Sequence, residues 1–259
     1  AVLGGGNNVG IGMDAGLLTT EGNHNIFIGT EAGANNTTGD ELILIGYRAG
    51  YAINHASDAD GTVAIGYQAG LAITSGQESV LIGRQAGQTL TTGDASTAVG
   101  HYALYHNVTG NRNTAIGRGA GARFLNDDST ALGYYAGHYA SGSDNTFLGS
   151  YAGQGGTTSA PYSSGEKNIA LGYEALKDFT TGHRNTMLGY QSGENTTDAA
   201  YNTAVGYQTM QGVGSNAATD NSVFGWRAGY SLTTGDNNTF LGKSAGAAST
   251  DVDRAVAIG

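Results

Sequence analysis

The sequence contains no cysteine and only one proline, and each absence narrows the possible folds. Without cysteine, neither disulfide bonds nor Cys-ligated metal sites can hold the chain together. Glycine is abundant, with 45 residues among 259, but collagen needs glycine at every third position together with much proline. No stretch approaches the roughly 18 apolar residues that would cross a bilayer, and no signal-peptide pattern opens the chain. We therefore expect no membrane insertion and no disulfide framework.

Charge is also scarce, and its balance is acidic. Charged residues make up 12% of the chain, and 21 acidic against 11 basic residues give a formal net charge of −10. The negative electrostatic field of such a chain disfavours binding to nucleic acids and anionic membranes, whose recognition depends on cationic patches. Disordered chains usually combine high charge with few regularly placed aliphatic residues, whereas apolar residues recur here at fixed places. The composition predicts a folded protein without a nucleic-acid partner.

What the sequence does contain is one motif written fifteen times. It reads NTAIGRGAG at 113–121 and returns as NTFLGSYAG, NTMLGYQSG and NTFLGKSAG, with a regular spacing between most neighbouring copies. The repeat is about 17 residues long, and a unit of this length cannot fold alone, so neighbouring copies must stack and share a core. In every copy an aliphatic residue or Phe precedes a glycine, and these glycines are Gly12, Gly29, Gly46, Gly66, Gly83, Gly100, Gly117, Gly133, Gly149, Gly172, Gly189, Gly206, Gly225, Gly242 and Gly259.

Each copy predicts one short strand, because N-T-A-I-G alternates and is rich in β-branched residues. Thr114 and Ile116 share one strand face, which we expect to point into the core, and Ala115 lies on the other. The glycine that follows marks a positive φ or a place where another backbone comes too close for a Cβ atom. Bulky residues at the Ala115 position are expected to form contacts between copies of the chain, namely Phe27, Leu44, Phe147 and Phe240.

The rest of the copy predicts turns and a stacked polar column. The T-T-G-D stretches have turn chemistry, and the intervening pieces such as YQAG predict a second short extended or turn-like segment. An Asn precedes most strands, and stacking of the copies would align its side chains into an amide ladder. Longer spacings place insertions at 53–60, 153–167 and 213–220, in turns where variable surface function is expected.

These features predict an all-β fold, a parallel β-solenoid or β-roll of about fifteen 17-residue repeats. We expect one repeat domain over 1–259, and a segment of a longer polypeptide, because the chain opens without Met and closes in mid-motif. Such a coil encloses few side chains, and narrow folds compensate with disulfides, metals or oligomerisation. Since cysteine is absent, oligomerisation is the expected remedy.

The motifs NTAIGRGAG, TVAIGYQAG (62–70), NIALGYEAL (168–176) and STALGYYAG (129–137) resemble the repeats of trimeric bacterial adhesin heads. They are also similar to repeats of bacteriophage tail fibres, often found upstream of self-cleaving chaperone domains. The resemblance covers nearly the whole chain and implies a homotrimeric parallel β-roll outside the cell or on a virion, used for attachment. The adhesin-head unit is shorter than the repeat of this chain, which leaves strand registry and cross-section open.

One column of the repeat offers candidate contacts with a cell-surface glycan or protein receptor. Aromatic residues directly follow the motif glycine in seven copies, and their rings combine an apolar face with a polar tip. The alternative is a packing ladder, since stacked aromatics also stabilise parallel coils. The candidate residues are Tyr47, Tyr67, Tyr134, Tyr173, Tyr190, Tyr207 and Trp226.

Catalysis, metals and cofactors find little support in the sequence. The six histidines, at 24, 55, 101, 106, 138 and 183, form no metal-binding pattern and sit at different repeat positions. GGGNNVGIG and GRGAG lack the βαβ unit of a dinucleotide loop, and the GGxGxD pattern of calcium-binding rolls is absent. No nucleophile and base recur together, so we expect no enzyme, no cofactor and no metal.

Two functions are therefore considered. The first is an extracellular structural or attachment fibre, part of a phage tail fibre or bacterial adhesin. The alternative is an ice-binding solenoid, because Thr often occupies the first strand position. That column is interrupted by Val and Ile, and we expect its face to point into the core, which argues against ice binding.

Overall fold

The computed structural model describes residues 5–54, 60–156, 162–212, 214 and 216–259, and it divides into two compact units, Ala1–Asp128 and Ser129–Gly259. In both units each turn of the chain contributes one three-residue strand, and consecutive strands pair in parallel. The predicted all-β parallel solenoid, with one strand in each repeat, is thereby confirmed.

Over its described residues the first unit contains seven strands, β1 (Val9–Ile11), β2 (Ile26–Ile28), β3 (Ile43–Ile45), β4 (Val63–Ile65), β5 (Val80–Ile82), β6 (Thr97–Val99) and β7 (Thr114–Ile116). The described part of the second unit contains eight, β8 (Thr130–Leu132), β9 (Thr146–Leu148), β10 (Ile169–Leu171), β11 (Thr186–Leu188), β12 (Thr203–Val205), β13 (Ser222–Phe224), β14 (Thr239–Leu241) and β15 (Val256–Ile258). Within each unit, every strand pairs with the next one along the chain.

Strand register follows the repeat and ignores the insertions. Val63 pairs with Val80 across the regular spacing, and Ile43 pairs with Val63 in the same register across a longer one. The same holds in the second unit, where Thr146 pairs with Ile169 across the longest spacing in the chain. Extra residues are therefore absorbed outside the sheet. The insertions at 53–60, 153–167 and 213–220 fall partly outside the described residues, which omit 55–59, 157–161, 213 and 215.

The predicted direction of the strand faces is wrong. The middle residue of each strand points into the coil, so Ala115 and Phe147 are fully buried, while Ile116 is 38% exposed. Thr114 and Ile116 therefore lie on the outward face, and the residues expected to join copies of the chain are core residues. Those buried residues are Phe27, Leu44, Phe147 and Phe240.

Packing inside the coil explains this direction. A second inward position lies nine positions after the middle of the strand, and in some turns a small residue at one position accompanies a large residue at the other. Ala115 is matched by Phe124 and Ala170 by Phe179, whereas Phe27 is matched by Asn36. All of these side chains are buried. Such pairs fill a narrow interior to close-packed density, although the match is not strict, because Leu81 and Leu90 are both large and both buried.

The motif glycine satisfies both predicted requirements. Gly83 has φ +134°, and a Cβ atom on it would lie 2.6 Å from the carbonyl oxygen of Gly100 in the next turn. Gly66 has φ +137° and stands in the same relation to Gly83, at 2.5 Å. No side chain fits this contact without separating the turns, so the glycine column sets the distance between successive coils.

The predicted amide ladder is confirmed most fully in the second unit. The Asn185 side-chain NH₂ donates to the Oδ1 of Asn168 at 3.1 Å, and Asn202 donates in turn to Asn185 at 3.1 Å. Asn185 also donates to the carbonyl of Ala199 at 2.7 Å. These amides are buried, so the ladder satisfies polar groups that burial would otherwise penalise.

The segment between the strand and the T-T-G-D turn is a series of turns, so the turn-like form of that prediction is the correct one. The residue two positions after the motif glycine has positive φ even where it is not glycine, for example Gln68 at +53° and Gln191 at +51°. Ala69 and Ala86, one position further on in their turns, are fully buried. The return segment thus contributes one small inward side chain here and, four residues later, the second inward position, which is Ile73 or Leu90 in these two turns.

Candidate functional site

The outward strand face is the most prominent surface feature of either unit. In the first unit the five strands β1 to β5 present only Val and Ile at their two outward positions. Ile11 is 58% exposed and Ile82 36% exposed, and in the second unit Leu171 and Leu241 are 42% and 50% exposed. Parallel pairing fixes these residues in straight columns, so their apolar surfaces are continuous along each unit.

The size of this face is comparable to that of the largest apolar patch on an ordinary monomeric protein. Seven three-residue strands, spaced by about 4.8 Å with about 3.3 Å per residue, make a face of roughly 300 Å² in the first unit. Exposed apolar patches of this size on soluble proteins often mark interaction sites. The sequence pattern does not predict this surface, because it places the Thr and Ile columns of the strands in the core.

A column of aromatic side chains lies beside the outward face of the second unit. Tyr173, Tyr190, Tyr207 and Trp226 stack in order, with ring centres 5.3, 5.2 and 6.2 Å apart and interplanar angles of 16° or less. Their exposed fractions lie between 42% and 44%. The structure therefore brings together four of the seven predicted contact residues.

The remaining three are distributed differently. Tyr47 and Tyr67 stack in the first unit with ring centres 5.4 Å apart. Tyr134 meets Tyr151 edge to face at 5.4 Å, because Ser150 occupies the aromatic position of that turn. Tyr151 also contacts Tyr173 edge to face at 6.2 Å.

Stacking limits what the aromatic column can bind. Near-parallel rings about 5 Å apart cover each other's faces, so a ligand meets mainly ring edges and the hydroxyl groups. Sugar rings pack best on an uncovered aromatic face. The Trp226 ring is approached by two cations, Lys243 Nζ at 5.3 Å and the Arg227 guanidinium at 5.2 Å from the ring centre. This arrangement favours the packing ladder, and a receptor role for the column stays a prediction.

Three nitrogen-bearing side chains, two of them cationic, continue the aromatic column of the first unit. Arg84, His101 and Arg118 occupy the position after the motif glycine in three consecutive turns. Burial, together with the charges of Arg84 and Arg118, lowers the pKa of His101. The Arg84 guanidinium lies 5.6 Å from the centre of the Tyr67 ring. His101 is therefore held neutral near physiological pH, which limits repulsion along the column.

A polar pocket of about 180 Å³ lies in the second unit, between two adjacent turns. In the sequence, the pocket corresponds to two dipeptides, Glu166-Lys167 and His183-Arg184, which occupy equivalent positions in neighbouring repeats. The Arg184 amide donates to the Glu166 carbonyl oxygen at 2.9 Å and joins the two turns. The lining residues are Ser164, Gly165, Glu166, Lys167, Thr181, His183 and Arg184.

Neighbouring side chains hold parts of this pocket in place. Arg184 Nη1 donates to the Tyr201 hydroxyl at 2.5 Å, and the guanidinium lies 5.2 Å from the ring centre. Thr181 donates to a carboxylate oxygen of Asp198 at 2.7 Å. Hydrogen bonds from Thr180 and Thr181 hold the pKa of Asp198 below its ordinary value, against the opposing effect of partial burial. Asp198 therefore stays ionised at neutral pH.

The histidines of the described residues contact aromatic or polar neighbours. His101 stacks on Tyr102 with ring centres 3.9 Å apart, and His183 meets the Tyr201 ring edge to face at 5.3 Å. His55 lies outside the described residues. Over the part of the chain that the structure describes, no three His, Asp or Glu side chains are grouped so as to hold a metal ion.

Comparison of the chain with protein-family models, with curated proteins and with solved structures finds no match. Among the described residues, the structure contains no helix with the length and apolar character needed to span a membrane. The outward strand face and the pocket are therefore interpreted from their own geometry.

Proposed function

We propose that this chain is a segment of an extracellular fibre in which three copies associate through their outward strand faces. The observation that carries the proposal is the outward column at the third strand position, which is Ile, Val or Leu in every strand except β13, and which lies beside a second column of Val and Ile in β1 to β5. A monomer would leave this surface in water, at a cost of about 25 cal/mol for each Å² of apolar area. Association of copies would remove that cost.

The number of copies comes from the resemblance to trimeric adhesin heads and tail fibres. The copies can be arranged cyclically around an axis that runs along the stacking direction of the turns. Each turn of one copy then contacts the same turn of the neighbouring copy. Because the turns repeat, each one adds a similar contact, and the association strengthens with the number of turns. This is the behaviour expected of a stiff fibre shaft outside the cell or on a virion.

Attachment is the second part of the proposed role. A solenoid keeps its strands fixed while its turns accept additional residues, as the unchanged register across the longer spacings illustrates. Such turns are suitable places for contacts with a cell-surface glycan or protein. We propose a binding and structural protein, part of a tail fibre or a bacterial adhesin, and no enzymatic activity.

Ice binding remains the alternative, and one observation favours it more than the sequence did. The Thr column faces outward, since Thr130 and Thr239 lie at the exposed first position of their strands. Val63 and Ile169 interrupt that column, and the second outward column contains no Thr in any strand. One incomplete hydroxyl column beside bulky aliphatic residues fits a dry protein interface better than an ice lattice. Thermal hysteresis in solution would favour the alternative.

The mass of the protein in solution tests the proposed assembly. Sedimentation equilibrium of the complete chain is expected to give three times the 26.2 kDa mass of one copy. The measured mass should stay constant on dilution through the micromolar range, because an apolar contact repeated in successive turns holds the copies together tightly. A stable single copy at all concentrations would contradict the fibre and leave a self-contained solenoid.

A further inference from the structure

We propose that the pocket between 164–167 and 181–184 binds the carboxylate group of an acidic sugar. The proposal rests on the attachment function above and names the chemical class of receptor, a saccharide that carries uronic or sialic acid residues. Lys167 and Arg184 would hold the carboxylate, and His183 would contribute a third nitrogen donor. Ser164 offers a hydroxyl group to the sugar ring, and the Thr181 hydroxyl, which donates to Asp198, can accept a hydrogen bond from it.

The charge of the pocket differs from that of the surrounding protein. Only six of the residues in Ser129–Gly259 are Lys or Arg, against ten Asp or Glu, and two of these six line this one pocket. Within the described residues, neither Lys167 nor Arg184 forms an ion pair. By comparison, Lys177 is paired with Glu174 at 3.0 Å. The pocket therefore keeps two cations available for an anion in an otherwise acidic chain.

Arg184 is positioned before any ligand arrives. Its Nη1 atom donates to the Tyr201 hydroxyl, and its guanidinium lies over the Tyr201 ring. The other edge of the guanidinium, with Nε and Nη2, makes no hydrogen bond to the described residues. A guanidinium edge with two parallel N–H groups matches the two oxygens of a carboxylate. Holding that edge in place lowers the entropy lost on binding.

The ligand is identified by charge and size. Lys167 and Arg184 together with Glu166 give the lining a net charge of +1 when His183 is neutral, which suits one carboxylate better than a doubly charged phosphate. A volume of about 180 Å³ is about six times the share of one liquid water molecule. It has room for one sugar residue, while the rest of a saccharide chain would extend into solvent.

The test is isothermal titration of the complete chain with glucuronate, glucose and inorganic phosphate. Glucuronate and glucose share the ring and differ in the carboxylate, and phosphate is an anion without a ring. We expect glucuronate to bind and glucose to bind at least about tenfold more weakly, because a charge-assisted contact is lost. Lys167→Ala and Arg184→Ala should each weaken glucuronate binding by about tenfold or more.

Arg254→Ala is the matched control. Arg254 occupies the same repeat position as Lys167 and Arg184, and all three have positive φ. Alanine itself stands at this position as Ala95 with φ +51°, so the substitution is compatible with the backbone. Circular dichroism and sedimentation equilibrium of each variant establish that fold and assembly are intact, and the control should bind glucuronate normally.

Three results would overturn the proposal. Equal binding of glucuronate and glucose would remove the role of the carboxylate. Tighter binding of phosphate than of glucuronate would reduce the pocket to a general anion site. Unchanged binding in Lys167→Ala and Arg184→Ala would place the sugar elsewhere. Because sedimentation reports assembly separately, a trimer without glucuronate binding contradicts only the pocket, and a monomer contradicts the fibre.

Discussion

Replacing Gly83 by alanine is expected to lower the stability of the folded chain by about 3–5 kcal/mol. Part of this loss comes from the backbone, because φ +134° is a conformation that L-residues rarely adopt. The larger part comes from the methyl group, which would lie 2.6 Å from the carbonyl oxygen of Gly100. Relieving that contact separates two turns and weakens the parallel pairing of β5 with β6.

Thermal unfolding followed by circular dichroism measures this effect. A loss of this size should lower the midpoint by roughly 10 °C. Gly61→Ala is the control. Gly61 also has positive φ, at +68°, but a Cβ atom added to it would lie 3.9 Å from the nearest atom. We expect a change within about 1 kcal/mol for the control. Equal losses in the two variants would show that the close approach of the turns does not matter.

Replacing Phe147 by alanine is expected to cost about 3–5 kcal/mol, the usual range for removing a buried aromatic ring. Phe147 is fully buried, and its ring centre lies 5.7 Å from that of Phe179. The coil is narrow and its backbone is fixed by the glycine column, so the cavity cannot close by a small shift. The next residue, Leu148, is 40% exposed, and Leu148→Ala should leave the fold of a single copy nearly unchanged.

Concentration distinguishes the two variants. Loss of a core side chain lowers the unfolding midpoint equally at all protein concentrations. Loss of an interface side chain acts through association, so its effect should grow as the protein is diluted. Unfolding midpoints of both variants over a hundredfold range of concentration provide the measurement. A Leu148→Ala loss that is large and independent of concentration would mean that the outward assignment of this residue is wrong.

Much of the fold follows from the sequence because its signal is periodic. The spacing of the motif glycines predicts the parallel order of the strands, and the glycines themselves predict the close approach of the turns at Gly66 and Gly83. The Asn before the strand predicts the amide ladder. Each of these properties depends on one residue type at one repeat position. Because that residue recurs in most repeats, the sequence pattern is easy to recognise.

The direction of the strand faces could not be predicted from hydrophobicity, because both faces are apolar. The regular Thr-or-Val and Ile columns suggest a core, but their regularity reflects a flat outward face. The inward column varies between Ala and Phe, and this variation is balanced nine positions later in only some turns, as in Ala115 with Phe124 but not in Leu81 with Leu90.

The pocket was missed for a different reason. Its residues belong to two turns, and their proximity depends on the register that stacking creates. Aligning the copies by their motif glycines places Lys167 beside Arg184 and Glu166 beside His183, which is the one signal available in the sequence. The hydrogen bond from Arg184 to Tyr201, by contrast, depends on side-chain conformations that the repeat does not specify.

The claim that the outward aliphatic face joins the copies is tested most directly by placing a charge in it. Ile65→Lys introduces an ammonium group at the centre of the face of the first unit, where burial against another copy would be costly. Thr92→Lys adds the same charge in the exposed T-T-G-D turn and serves as the control. Sedimentation equilibrium is expected to give a folded single copy for Ile65→Lys and a trimer for Thr92→Lys. A trimer of unchanged affinity in Ile65→Lys would contradict the account.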